Sequence, residues 1–173
     1  MRDPENFIQE LRTFFGNPDH FLVGSIVKFR RDVDITLHDH QQDALAYFRK
    51  ERVTGKNTFL LVLPTGTGKT EIFIKDIERL KIEKPSLKAI VIVPTRQLRE
   101  QTVERFKIRL SALANLIGTE TDNGNRCDIV VQTYAHMHHN FFKLPKDAFD
   151  YIVVDEAHHA VAHGLRTILE YFT

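Results

Sequence analysis

The run Pro64-Thr65-Gly66-Thr67-Gly68-Lys69-Thr70 places two glycines, a lysine and hydroxyls in one short turn. Glycine lets the backbone curl until its N–H groups converge on phosphate oxygens, and a helix opening there adds its positive end. Lys69 then supplies the cation for the β and γ phosphates, and Thr70 the hydroxyl that ligates Mg²⁺. The general loop pattern begins with Gly, and here Leu63 stands at that position. A glycine-rich turn that binds nothing is the bland alternative. Placement of Gly66, Gly68, Lys69 and Thr70 between an apolar run and a helical one argues against it. Further along, Asp155-Glu156-Ala157-His158 closes another apolar run. A carboxylate at such a strand end can hold Mg²⁺ through its water shell, and Glu156 beside it can orient and deprotonate an attacking water. Two acids can also merely cap a helix. With Lys69 upstream, the pair points instead to nucleoside triphosphate hydrolysis.

These residues need a frame, and the chain offers an alternation of strands and helices. Thr58–Leu63 reads as a strand leading into the phosphate loop, followed by a helix from Gly68 to about Lys81. Leu87–Val93 is the next strand, with a helix from Arg96 to Leu113; Asp128–Thr133 and Asp150–Asp155 are the third and fourth. Leu60-Leu61-Val62-Leu63, Ala89-Ile90-Val91-Ile92-Val93 and Tyr151-Ile152-Val153-Val154 are continuously apolar, the pattern of strands buried on both faces of a parallel sheet. The expected fold is an α/β open sheet with ligands at the carboxyl ends of its strands. Ahead of it, Asp39 can cap a helix running to Arg52 with Ala44, Leu45 and Phe48 inside. Residues 1–35 read as a separate α/β extension, with a helix over Pro4–Phe15 and a strand over Phe21–Phe29.

Composition narrows the setting. The 24 Lys+Arg against 23 Asp+Glu leave a net charge of +1, so any nucleic-acid-binding surface must be local. The single cysteine, Cys127, excludes a disulfide framework within the chain and reads as a buried small apolar residue. With no long apolar run and no signal-peptide core in Met1–Glu10, the expected location is the cytoplasm, with no membrane partner. His136, His138 and His139 cluster, but no Cys or acid is spaced to complete a tetrahedral metal site.

The motifs, taken in order from Leu37 to His159, resemble those of superfamily 2 helicases in the first of their two RecA-like lobes. Leu37-His38-Asp39-His40-Gln41 resembles the Q motif, with His38 where that family has Arg. The resemblance implies that Gln41 reads the edge of adenine, hence ATP. Pro64–Thr70 is similar to motif I, with Thr65, Gly66, Thr67, Gly68, Lys69 and Thr70 around the nucleotide, and Asp155–His158 to motif II. That implies Asp155 and Thr70 on Mg²⁺, Glu156 and Lys69 in catalysis, and His158 coupling motif II to the rest of the motor. Val93-Pro94-Thr95-Arg96-Gln97-Leu98 resembles motif Ia, which grips the nucleic-acid backbone through Pro94, Thr95 and Arg96; Thr133 resembles the strand-end residue touching the same strand. Thr95, Arg96 and a helix start can donate to phosphate oxygens without reading sequence.

Leu-Arg-Glu-Gln after motif Ia and Asp-Glu-Ala-His-His at motif II look more like the DNA-dependent branch, which includes restriction-enzyme motors and repair helicases. The implied partners are DNA, a second RecA-like lobe and a restriction or repair complex. The resemblance also implies that residues 36–173 stop before motif III, whose strand lies between those of motifs I and II. The apolar edges of the Leu60 and Val153 strands should then be open, to be filled by Phe21–Phe29 or a neighbouring chain. Rival readings remain: a nucleotide- and nucleic-acid-binding module with little turnover, an RNA helicase lobe, and a phosphate-loop ATPase acting on protein or small molecules.

Overall fold

The computed structural model describes residues 37–64, 66–119, 127–157 and 163–172. The proposed extension over 1–35 lies outside the described residues, as do Thr65, His158 and His159.

The sheet is parallel, four-stranded and ordered β2-β3-β1-β4, where β1 is Ala89–Val93, β2 Ile117–Gly118, β3 Ile129–Thr133 and β4 Tyr151–Val154. Strand β1 is its centre, with Ala89 opposite both Ile129 and Tyr151, and Val93 opposite Thr133. Side chains alternate between faces along each strand, and both faces are covered. Ala89, Val91, Val93, Ile129, Val131 and Val153 pack under helix α2 (Lys69–Glu83) and helix α3 (Arg96–Arg109), meeting Phe73, Ile77 and Phe106. Ile90, Ile92, Val130 and Val154 pack on the other side against Met137 of helix α4 (Tyr134–Asn140) and Leu165, Ile168 and Leu169 of helix α5 (His163–Tyr171). That double burial is why these strands read as unbroken apolar runs.

Thr58–Leu63 corrects the sequence reading. Among the described residues it carries an isolated bridge at Leu60 and is not a strand of the four-stranded sheet. Leu60 and Val62 are 43% and 50% exposed, whereas Leu61 and Leu63 turn onto a satellite core of Leu45, Phe48, Phe59 and Ile72. The physical reason is that apolar composition signals burial but does not specify a ladder partner, and none of the described strands pairs with this segment. Among the described residues β4 pairs with β1 alone, so its outer edge is where the sheet ends.

Smaller shifts occur at element ends. Helix α1 (Asp39–Val53) is entered from His38, which makes Asp39 its first residue rather than its cap. Helix α3 stops at Arg109, and a short 3₁₀ turn over Ser111–Leu116 returns the chain to β2, because Leu110 and Ile117 must both reach the core. Cys127 is half-buried rather than buried. No helix among the described residues is long and apolar enough to cross a membrane.

A buried ionic knot fastens the satellite core to the sheet. Arg52, at the end of α1, forks onto Asp76 of α2, with Nη1 donating to Oδ1 at 2.7 Å and Nη2 donating to Oδ2. The Tyr151 hydroxyl at the start of β4 donates to the same Oδ2 at 3.0 Å, and Asp76 is only 1% exposed. The Arg52 guanidinium also lies over the rings of Phe48, Phe59 and Tyr151. Burial, and then the neighbouring Asp76, push the Tyr151 phenol well above its ordinary range, so it stays a donor. Removing one partner of such a pair strands a buried charge at a cost of about 3–5 kcal/mol.

Candidate nucleotide site

The phosphate loop has the backbone its glycines allow. Gly66 and Gly68 lie at φ 83° and 76°, in the left-handed region that side-chain-bearing residues avoid. Gly68 is also the cap of α2, so Lys69 and Thr70 form the first turn of that helix. The Lys69 ammonium is turned onto its own loop, donating to Leu63 O at 2.9 Å and Pro64 O at 3.2 Å. Carbonyl acceptors gather the cation at the mouth of the loop, where the oxygens of a bound phosphate can replace them. Positive-φ glycines, a helix start, a lysine and a hydroxyl together fit a nucleotide phosphate tail.

Gln41 closes the loop from the other side. It is 4% exposed, accepts from His38 N through Oε1 at 3.0 Å, and donates through Nε2 to Thr67 O at 3.0 Å. A Cβ on Gly68 would stand 2.4 Å from that Nε2, so a larger residue there would have to displace the amide. A ring nitrogen of His40 lies 3.1 Å from the same Thr67 carbonyl. The Gln41 amide and the phosphate loop are therefore one mechanical unit.

At the end of β4, Asp155 N donates to Ile92 O at 2.9 Å, extending the ladder one residue beyond the strand. Its carboxylate Oδ1 accepts from Glu156 N at 3.0 Å, and its carbonyl accepts from the Tyr134 hydroxyl. Glu156 sits at φ 51°, a strained conformation for a residue with a side chain. Burial pushes the Tyr134 phenol far up, with Asp155 and Glu156 adding to the effect, so it donates at any ordinary pH.

The third group lies at the ends of β1 and β3, which the register places side by side. Thr95 is exposed and caps α3, its hydroxyl accepting from Leu98 N at 3.2 Å, and Arg96 is exposed beside it. Pro94 is half-buried and shapes that entry. Thr133 differs: it is 7% exposed, and its hydroxyl caps α4 by accepting from His136 N at 3.2 Å. His136 has its pKa lowered by burial and then by the charges of Arg99 and Lys143. Among the described residues the Nε of Arg99 is buried without a hydrogen-bond partner.

Asp155, Thr95 and Thr133 thus meet at the carboxyl ends of adjacent strands. Lys69 and Thr70 reach that sheet by a different route, since the tie from α2 to β4 runs through Asp76 and Tyr151 at the strand's start. Sequence reasoning missed Arg52, Asp76, Tyr151 and Tyr134. A charged Asp76 inside the apolar run Ile72-Phe73-Ile74 to Ile77 is the one signal that could have found the knot.

With this geometry in view, comparison with known proteins decides the family. The profile described as "Type III restriction enzyme, res subunit" matches residues 34–173. The chain belongs to that family. It is 29% identical over 143 residues to the IRC3 protein of Saccharomyces cerevisiae, covering 79% of this chain and 21% of that one. It is 29% identical over 138 residues to the DNA 3'-5' translocase XPB2 of Sulfurisphaera tokodaii, covering 80% and 28%. The fold matches the UvsW helicase of bacteriophage T4 with a TM-score of 0.61 at 19% identity, over 96% of this chain and 65% of that one. This res-subunit chain is therefore a RecA-like α/β lobe of the superfamily 2 helicase type, spanning 21% and 28% of the first two relatives.

Proposed function

We propose that this lobe is the ATP-binding half of an ATP-dependent DNA translocase or helicase, completed by a second RecA-like lobe and working in a restriction or repair complex in the cytoplasm. The observation that carries the reading is the Asp155–Glu156 pair at the end of β4, beside the strand ends of Thr95 and Thr133, in a fold whose phosphate loop opens α2. ATP with Mg²⁺ supplies a cleavable phosphoryl group. Lys69 and the backbone from Thr65 to Gly68 would neutralise and seat the phosphates, Thr70 and Asp155 would hold the metal, and Glu156 would take the proton of the attacking water. His158 would carry the state of that centre towards the second lobe. Pro94, Thr95, Arg96 and the Thr133 turn face the DNA backbone in this reading, where the charges of Arg99 and Lys143 near His136 favour an anion. Similarity to the DNA 3'-5' translocase XPB2 of Sulfurisphaera tokodaii supports DNA.

Steady-state ATP hydrolysis by the longest natural form, with and without DNA, tests the reading. Stimulation of roughly tenfold or more is expected, from a nucleic-acid site that organises the catalytic one. Equal rates with DNA, with RNA and with neither would refute a nucleic-acid motor.

Gln41 offers a second test. Its Nε2 donates to Thr67 O of the loop and its Oε1 accepts from His38 N, so adenine would be read by exchanging those bonds for the edge of the base. Gln41→Ala should lower ATP affinity by about 1–2 kcal/mol, roughly tenfold, and erase the preference for ATP over GTP. Competition binding with the two nucleotides measures this. Equal affinities in the unmutated protein would remove the base-reading role.

A further inference from the structure

One peptide group, that joining Asp155 to Glu156, has both of its polar atoms engaged at the centre of the site. Its N–H donates to the Asp155 carboxylate at 3.0 Å, and its C=O accepts from the Tyr134 hydroxyl. The residue that follows sits at φ 51°. A strained conformation persists only where its surroundings over-determine it, and one external restraint here is a phenol from the first turn of α4. Tyr134 begins α4 directly after Thr133, at the end of β3, and β1 lies between β3 and β4. The side chain therefore crosses the end of the central strand to reach Asp155.

We propose that Tyr134 is a positioning residue: it fixes the plane of the Asp155–Glu156 peptide, and so transmits occupancy of the nucleic-acid side of the sheet to the metal and water carboxylates. This rests on the motor reading above. The aim of the Asp155 carboxylate depends on the N–H of that peptide, and the direction of the Glu156 side chain depends on its φ. Rotating the peptide moves both acids at once. On the other side, the first turn of α4 is held by the Thr133 hydroxyl, which accepts from His136 N. A phosphodiester that draws on Thr133, or on the basic groups around His136, shifts the turn from which Tyr134 projects. Such a link couples the sites through a discrete hydrogen bond rather than through mere proximity.

Tyr134→Phe keeps the ring and its packing while deleting the donor. In the longest natural form the DNA-stimulated kcat should fall roughly tenfold, with the KM for ATP and the Kd for DNA changing less than about threefold. The ratio of stimulated to unstimulated rate should drop towards one. An unchanged ratio would overturn the proposal, and so would a parallel loss of ATP affinity and thermal stability, which marks a general structural role. Amide hydrogen exchange at Glu156 provides a readout that needs no turnover. Exchange at that N–H should be faster in Tyr134→Phe than in the parent, and equal protection would also overturn the proposal. If the parent shows no DNA-stimulated hydrolysis while exchange still responds to the substitution, the motor reading fails and the hold of Tyr134 on the peptide stands.

Discussion

Replacing Lys69 with Ala is expected to abolish tight binding of Mg-ATP. The ammonium sits at the mouth of the loop, donating to Leu63 O and Pro64 O, and the α2 N-terminus adds only a partial charge. Binding exchanges those two carbonyls for phosphate oxygens, a change from neutral to anionic acceptors. Hydrogen bonds to charged groups are worth about 1.5–3 kcal/mol each, so losing the lysine should cost about 3 kcal/mol, roughly a hundredfold in Kd. The fold should survive. Gly66 and Gly68 keep their positive φ angles, Gln41 still holds Thr67 O, and the apolar face of α2 is untouched. Calorimetric titration with ATP and Mg²⁺, paired with a thermal melt, separates the two effects. A Kd within about threefold of the parent would show that the loop does not grip phosphate, and the nucleotide reading would go with it.

Parts of this site are legible in sequence because local chemistry dictates them. Positive φ at Gly66 and Gly68 follows from a loop that must curl, and strand β1 from five apolar residues with a cap, Thr95, just beyond. Asp155 and Glu156 likewise fall at a strand end, as their apolar prefix demands. What could not be read was partnership. Thr58–Leu63 has a strand's composition but no ladder neighbour among the described residues, and Leu60 and Val62 are exposed. Thr133 has the right residue type for a backbone contact, yet the structure turns its hydroxyl to capping α4. Arg52 with Asp76, and Tyr134 with Asp155, are joined across 24 and 21 residues of sequence. No periodicity records such pairs, since each member is an ordinary polar residue until the fold brings its partner within reach.

Glu156→Gln should leave nucleotide binding intact and stop hydrolysis. The substitution exchanges a carboxylate oxygen for an amide nitrogen at constant shape. Gln meets the same steric cost as Glu at φ 51°, so the peptide should keep its plane. Its N–H still donates to Asp155 Oδ1, and Tyr134 still donates to Asp155 O, so the metal carboxylate keeps its aim. What disappears is the acceptor for the proton of the attacking water. General-base catalysis contributes roughly 10²–10⁴-fold, and kcat should fall by that factor in the longest natural form with DNA present. The Kd for ATP should change less than about threefold, because the groups assigned to the phosphates and the base lie on α1, the loop and α2. Since hydrolysis stops after binding, the variant should also accumulate in an ATP-bound state that holds DNA longer than the parent does. Rapid-quench measurement of phosphate release, alongside equilibrium binding of ATP, resolves the two steps. Normal turnover would remove Glu156 as the base. Loss of ATP affinity equal to the loss of rate would instead make the residue part of the nucleotide grip, and the proton acceptor would have to be sought elsewhere at the carboxyl end of the sheet.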